Sequence, residues 1–309
     1  MVWLTWRQHR AQVLIVVAFV VVVAGLLLWH RQYAASVAAG NLDRLGAQLS
    51  QVTRLLTWSI VPPALIGLFW GAPLLGRELE RGTYRLAWTQ SVTRRDWLGV
   101  KLAGLGAVVT VAGLAFGLIV NTWLGGFTDL RAARPFTNQD LFMVTGIVPA
   151  AWWLFGFALG VAAGAVTRKL LPAMAITLVV FFTGYIGMIT TEARLHYATP
   201  ERQVESLSAV AEDPWSINTP PGAEARLPAG ALLVDFGWFD RTGAIVPAGV
   251  VTDCGYTSDN YLNCLRDKDI RWFADYQPAD RYWQFQWTEA GLLAMATIAL
   301  GAVAWSRVR

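Results

Sequence analysis

Residues 11–30 read AQVLIVVAFVVVVAGLLLWH, a stretch that carries no Asp, Glu, Lys or Arg. The hydrocarbon core of a bilayer is about 30 Å thick, and a helix crosses it with roughly 20 apolar residues. The stretch therefore predicts a membrane-spanning helix. Because no small-residue cleavage site follows it and further apolar runs come later, we interpret it as a retained signal anchor rather than a cleaved signal peptide.

Further apolar runs follow along the chain. They occupy residues 55–76, 102–128, 141–167, 170–191 and 287–306, and only the last contains a charge, Glu289. A soluble core could explain one such run but not the whole series, and continuous runs do not fit the alternating pattern of a membrane barrel. The chain is 15% charged, against about 25% for soluble proteins. We predict an all-α polytopic membrane protein with six transmembrane helices.

The distribution of basic residues predicts the orientation. Twelve Lys and Arg residues flank the runs on one side and five lie in the short connections of the other side. Basic flanks are kept in the cytoplasm, so both termini are predicted to be cytoplasmic, as an even number of spans requires. The formal charge of +4 then reflects membrane edges and does not indicate nucleic-acid binding.

The segment 193–286 differs in kind, because residues 192–286 hold fourteen of the 21 acidic residues and eight basic ones. We predict a small mixed α/β extracellular domain between helices 5 and 6. Apolar runs broken by Gly and Asp predict strands at 230–239, at 244–252 and around Tyr261. Residues 194–211 are more typical of a helix.

Both cysteines, Cys254 and Cys264, fall within this segment. An exported segment is oxidising enough for a disulfide to form, and we predict that the two residues pair. The alternative is two free thiols. A zinc site is disfavoured because only His196 accompanies the two cysteines, and this does not complete a tetrahedral set.

The connection after the second run reads GRELERGTYRLAWTQSVTRRDW over residues 76–97 and ends at Lys101. Its spacing predicts a short amphipathic helix. One face would carry Tyr84, Ala87, Trp88 and Ser91. A plain charged loop would explain the arginines, whereas the interleaved Glu78 and Glu80 favour a docking surface for another protein.

This connection resembles that of the type-2 ABC export permeases, whose second and third spans are joined by a pattern like Glu-x-Glu-x-Gly-Thr, a leucine, Ser/Thr-Arg and a Lys. The matching residues are Glu78, Glu80, Gly82, Thr83, Leu86, Thr93, Arg94 and Lys101. Residues 3–10, WLTWRQHR, are similar to the start of bacterial members, which implies a bacterial plasma membrane. Typical members have a short, partly re-entrant connection before span six, and this chain departs from them there.

The resemblance implies a coupling helix at 78–97 that docks on a separate ATPase subunit. The implied coupling residues are Glu78, Glu80, Arg81, Gly82, Thr83, Tyr84, Arg85, Leu86, Trp88, Thr93 and Arg94. It also implies an amphipathic elbow helix at 1–12, before spans 1–5 at 13–192, and an ordinary flank of span one is the alternative. The elbow residues are Trp3, Trp6, Arg7 and Arg10. Span six and a cytoplasmic tail would occupy 287–309.

The chain lacks the Gly-x-x-x-x-Gly-Lys-Ser/Thr loop that holds nucleotide phosphates. If it is a pump subunit, two copies of a partner ABC ATPase would bind ATP and Mg, and this chain would carry no cofactor. His9, His30 and His196 are scattered and no hydrolase motif is present, so we predict neither an enzyme nor a metal site. The permease would pair with itself or with a homologous permease.

Polar residues in the runs are candidates for a substrate path, and we single out Asn121, Tyr185 and Glu289. For Glu289 the alternative is a helix N-terminal acid favoured by the helix dipole. The series Gly156, Gly160 and Gly164 predicts a helix-packing seam. We expect a permease that exports a hydrophobic or amphipathic substrate. The alternative is an ABC-linked sensing or mechanotransmission protein that acts through its extracellular domain.

Overall fold

The computed structural model describes residues 2–38, 41–81, 94–127, 130, 133–205, 220–247, 250–251, 253–254 and 261–307. The chain divides into two compact units. The first comprises Met1–Thr191 and Gln284–Arg309, and the second is Glu192–Trp283.

Helices of different lengths build the first unit. They are α1 Val2–Ala38, α2 Leu42–Leu56, α3 Val61–Ile66, α4 Ala72–Arg81, α5 Arg94–Leu124, α6 Gln139–Val144, α7 Val148–Thr167, α8 Leu170–Thr190 and α11 Tyr282–Arg307. Within the described part, six stretches are long and apolar enough to cross a membrane: Trp6–Val37, Leu42–Glu80, Trp97–Leu124, Val148–Thr167, Leu170–Thr190 and Ala279–Arg307. We number them spans 1 to 6, and the six predicted spans are confirmed.

Span 2 is helical throughout but changes its hydrogen-bond pattern along its length. Between α2 and α3, Thr57–Ile60 is a 3₁₀ turn, and between α3 and α4, Gly67–Gly71 is a π-helical turn. Pro62 and Pro63 lie in the first turn of α3. A proline has no N–H to donate to the preceding turn, so the helix tightens just before it.

Span 4, formed by α7, lies against span 2 with backbone touching backbone. A side chain at Gly156 would collide with the carbonyl oxygen of Pro63, and one at Gly160 with that of Gly67. A side chain at Gly164 would lie 2.6 Å from the carbonyl oxygen of Ala72. Only glycine allows such an approach, and the predicted packing seam is confirmed.

Span 3, formed by α5, approaches the same helix from another side. A Cβ atom at Gly113 would lie 2.6 Å from the Cα atom of Ala150, and one at Gly117 would collide with the carbonyl oxygen of Gly146. Most of α7 is buried as a result. Span 4 is therefore the centre about which spans 2 and 3 pack.

The second unit is built on a four-stranded antiparallel sheet. Its strands are β1 Glu201–Glu205, β2 Leu232–Phe239, β3 Ile245–Val246 and β4 Arg271–Gln277, in the order β1-β4-β2-β3. Two short helices, α9 Pro220–Arg226 and α10 Tyr261–Asp267, accompany the sheet. Trp238, Leu265 and Trp272 lie in a common buried core. The prediction of a small domain with both helices and strands agrees with this unit.

A disulfide joins Cys254 to Cys264, as predicted. Cys254 is buried in the core of the second unit, and Cys264 lies on α10. The bond attaches α10 to the segment that follows β3. In a unit this small, a covalent link supplements a core of limited size.

Three local predictions in this segment are wrong in whole or in part. Of the described residues in the strand predicted at 244–252, only Ile245–Val246 form a strand and residues 250 and 251 are helical, because Pro247 has no N–H to donate to a sheet. The region around Tyr261 forms α10 rather than a strand, because Tyr261, Cys264 and Leu265 recur at helical spacing and Leu265 is buried. Within 194–211, the described residues form a 3₁₀ turn at Ala193–His196 and the strand β1. Pairing with β4 determines that strand, and tertiary pairing overrides local preference.

One cross-strand contact shows how β1 is held. Arg202 donates two hydrogen bonds to the Asp275 carboxylate, at 2.7 and 2.8 Å, and its guanidinium lies 4.2 Å from the centre of the Phe273 ring. These bonds raise the pKa of the Arg202 guanidinium above its ordinary value. Arg202 is exposed, so the pair serves mainly to fix the strand register.

Candidate functional site

An ion pair joins the described ends of spans 2 and 3 that flank residues 82–93. Lys101 Nζ lies 2.6 Å from Glu78 Oε1, and the two side chains are only 4% and 23% exposed. Trp97 lies one turn before Lys101 on α5, and its ring centre is 4.3 Å from the ammonium nitrogen. The lysine is thus held by a carboxylate on one side and an aromatic face on the other.

The pair depends on both partners. The second carboxylate oxygen, Glu78 Oε2, is buried and has no hydrogen-bond partner among the described residues. Removing one member of a buried pair leaves an uncompensated charge, which typically costs about 3–5 kcal/mol. Lys101 therefore compensates the buried carboxylate of Glu78.

Glu80 attaches the same end of span 2 to a third helix. Its Oε2 atom accepts a hydrogen bond of 3.0 Å from the backbone N–H of Leu170, the first residue of α8. The N-cap residue of α8, Lys169, makes no side-chain capping bond. A carboxylate at a helix N-terminus pairs an otherwise free N–H and interacts favourably with the helix dipole.

Glu78 and Glu80 were expected to mark a docking surface, and the structure gives both carboxylates partners inside the chain. One acid binds span 3 and the other caps span 5. The end of span 2 is thereby attached to two further spans.

A second polar cluster lies where span 6 meets span 4. Glu289 is 1% exposed, and its Oε1 accepts a hydrogen bond of 3.0 Å from Trp152 Nε1. The ring of Tyr185 packs edge-on against the same indole, with centroids 5.6 Å apart. The structure therefore brings two of the three candidate path residues together. Asn121 is half-buried near the end of α5 and, among the described residues, makes no side-chain hydrogen bond to either.

Gln286, one turn before Glu289, was missed by sequence reasoning. Its Oε1 accepts hydrogen bonds from the backbone N–H groups of Ile147 and Val148, at 3.0 and 3.1 Å, and its Nε2 donates to the Phe142 carbonyl. The side chain fully buries itself in the corner between α6 and α7. It replaces the capping bond that Ile147, the N-cap residue of α7, does not make. One feature of the sequence could have identified Gln286. It lies three residues before Glu289, and this spacing places both side chains on one face of the helix.

A family model described as ABC-2 membrane transporter related matches residues 11–192. The chain belongs to this family. The match covers span 1 from residue 11, spans 2 to 5, and the two acidic residues Glu78 and Glu80 at the end of span 2. Span 6 and almost all of the second unit lie beyond it. A comparison with curated proteins and a comparison with solved structures each found no match. ABC-2 family membership supports a multi-pass membrane protein of the permease type.

Most of the predicted coupling residues lie outside the described residues. They are Gly82, Thr83, Tyr84, Arg85, Leu86, Trp88 and Thr93. Arg81 is the last residue of α4 and Arg94 the first residue of α5. In this ABC-2 chain the described structure thus gives the two ends of the predicted coupling segment, and the coupling helix itself stays a prediction.

The predicted elbow residues lie on α1, which runs without interruption into span 1. The side chains of Trp3, Trp6, Arg7 and Arg10 are all exposed. The Arg7 guanidinium lies 5.4 Å from the centre of the Trp3 ring. The first turns are therefore a continuation of the span rather than a separate helix, and their position at a membrane surface stays a prediction.

Within the described residues, no group of three His, Cys, Asp or Glu is placed to hold a metal ion. These polar groups of the first unit join helices, through the Glu78–Lys101 ion pair, the Glu80 cap and the Gln286 corner. Such groups can position and transmit movement.

Proposed function

We propose that this chain is the membrane permease subunit of an ABC exporter, which moves a hydrophobic or amphipathic substrate outward. The observation that carries the proposal is its membership of the ABC-2 transporter family over residues 11–192. Two copies of an ABC ATPase would bind ATP and Mg, and two permeases, identical or homologous, would form the membrane pathway. The count of basic residues supports cytoplasmic termini and an extracellular second unit.

The joined ends of spans 2, 3 and 5 supply the mechanical step. The 82–93 connection would dock on the ATPase, and its two ends meet at the Glu78–Lys101 pair. Glu80 adds span 5 through the Leu170 N–H. When the ATPase moves the connection, these contacts would move the three helix ends together instead of bending one of them.

The proposal is tested with the permease and a candidate partner ABC ATPase, reconstituted together in proteoliposomes. Lys101→Met is expected to lower ATP-dependent transport at least about tenfold while the ATPase still co-purifies, because the buried Glu78 carboxylate loses its partner. Glu78→Gln combined with Lys101→Met should recover part of the activity, since no uncompensated charge remains. Lys268→Met, which removes an exposed lysine of the second unit, is the matched control and should have no effect.

The docking step has its own test. Replacing Trp88 and Arg94 by Ala should reduce both assembly with the ATPase and ATP hydrolysis. Unchanged assembly and hydrolysis would rule out docking through this segment. ATP binding by the isolated chain would contradict the division of labour between two polypeptides.

The second unit favours one alternative function. It has its own sheet, core and disulfide, which suits a unit that binds a ligand or an external partner. As a sensing or mechanotransmission protein, the chain would use the ATPase to act through this unit. Replacing residues 200–280 by a Gly-Ser linker should leave transport intact in an exporter, and loss of all activity would favour the alternative.

A further inference from the structure

Spans 1 and 2 part from each other and leave a groove of two connected lobes. The Gln12 lobe, lined by residues from Gln12 to Phe19 of span 1, has a volume of about 330 Å³. The His30 lobe, lined by residues from Phe19 to His30, has a volume of about 660 Å³. Phe19, Pro62 and Leu65 line both lobes and form the narrow point between them.

Span 2 itself produces the groove. Its glycines Gly67 and Gly71 lie at the close contact with span 4. Its bulky side chains, such as Leu65 and Phe69, do not take part in that contact and remain 44% and 58% exposed. Phe19 of span 1 reaches across to an aromatic floor, with ring centroids 6.3 Å from Phe116 and 6.2 Å from Trp153. Most of the side chains that line the walls are therefore aliphatic or aromatic.

The dimensions of the groove match those of the bilayer. From Gln12 to His30, α1 rises about 27 Å, close to the roughly 30 Å of the hydrocarbon core. Each lobe is within the range of about 300–1,000 Å³ that is typical of ligand pockets. Gln12 lies at one end of the groove and His30 at the other, and Ser59, three residues before Pro62, is a polar side chain between them.

We propose that this groove is the path of a lipid-like substrate, which lies in it with one hydrocarbon chain and passes the narrow point at Phe19 and Leu65. This inference rests on the proposed function and names the substrate class. An extended peptide would leave its backbone N–H and C=O groups unpaired against apolar walls. A hydrocarbon chain is narrow and has no hydrogen-bonding groups to satisfy.

The test is photolabelling of the full chain in phosphatidylcholine nanodiscs doped with a phosphatidylcholine that carries a diazirine in one acyl chain. Labels should concentrate on residues 15–19 and 62–69 over equally exposed positions of span 5 such as Ile176 and Val179. Leu65→Trp fills the narrow point and should lower groove labelling about tenfold, and Leu65→Ala should raise it. Leu114→Trp is the matched control, because Leu114 is 41% exposed, against 44% for Leu65, and lines neither lobe.

Even labelling of all lipid-facing positions, or equal effects of Leu65→Trp and Leu114→Trp, would overturn the proposal. Protein-to-protein crosslinks in place of lipid labels would assign the groove to a second copy of the chain. Labelling needs neither ATP nor a partner, so it tests the groove alone.

In proteoliposomes with the ATPase, Leu65→Trp should then stop ATP-driven movement of the labelled lipid. If the unaltered protein moves no labelled lipid, the proposed export function is refuted but the groove remains a lipid-binding site. If Leu65→Trp moves the labelled lipid normally, the groove is not the path of the lipid.

Discussion

Span 2 meets its two neighbours in opposite ways. Toward span 4 it presents glycines, and the two backbones touch at Gly67 and Gly160. Toward span 1 it presents Leu65 and Phe69 and leaves the groove between them. Lipid chains are as apolar as leucine, so close packing rather than burial from water holds membrane helices together. The comparison shows that small residues determine which helices are fixed to each other and large ones determine where a space remains.

The largest effect that separates the two interfaces is expected from adding one methyl group. Gly160→Ala would bring a Cβ into the carbonyl oxygen of Gly67, and we expect a loss of about 1–3 kcal/mol or more in the free energy of unfolding. Gly25 of span 1 has nothing within 4 Å of the Cβ position, so Gly25→Ala should instead stabilise the helix by up to about 1 kcal/mol. Unfolding by SDS in mixed micelles measures both. Equal losses at the two positions would refute the distinction between a fixed and an open interface.

A second prediction concerns span 6, which is fixed to span 4 by polar contacts instead of glycines. Gln286→Leu keeps the side-chain size but leaves the N–H groups of Ile147 and Val148 without an acceptor. The unpaired Val148 N–H is buried and should cost about 1–3 kcal/mol, and the Ile147 N–H, which is only part-buried, should cost less. Gln284→Leu, at an exposed position of the same helix, is the control and should change stability little. Thermal unfolding in detergent compares them, and matching melting temperatures would remove Gln286 from the list of fixing contacts.

Much of the membrane unit could be predicted from the sequence, because its physical constraints are local. A charge-free run of twenty residues has one solution in lipid, a helix, and a glycine every four residues marks one helical face. The pairing of the cysteines followed from the chemistry expected of an exported segment. These features need no knowledge of distant contacts.

The remaining features depend on partners that lie far away in the chain. Gln286 acquires its role only when α11 meets the corner at Ile147, well over a hundred residues earlier. The strand β1 exists because β4 pairs with it. Glu78 and Glu80 were interpreted as part of a docking surface, and only the folded bundle shows that Lys101 and Leu170 bind them. The periodicity of apolar residues indicates which face of a helix is buried, but it does not indicate which residues pack against that face.

The smallest effect is expected where a contact fixes a helix end at an exposed position. Glu80→Ala removes the acceptor for the Leu170 N–H, and the loss should be about 0.5–2 kcal/mol, as for other capping residues. Because the hydrogen bond is exposed to solvent, water can replace much of it, and the lower end of this range is expected. Glu80→Gln keeps an acceptor but loses the charge that interacts with the helix dipole. Its free energy of unfolding should therefore lie between those of the unaltered protein and Glu80→Ala. SDS unfolding at low and high salt separates the contributions, since salt screens only the charge. If Ala and Gln are equally harmful at low salt and both losses shrink at high salt, Glu80 acts through its charge on another partner, and span 5 is not fixed to span 2 by this cap.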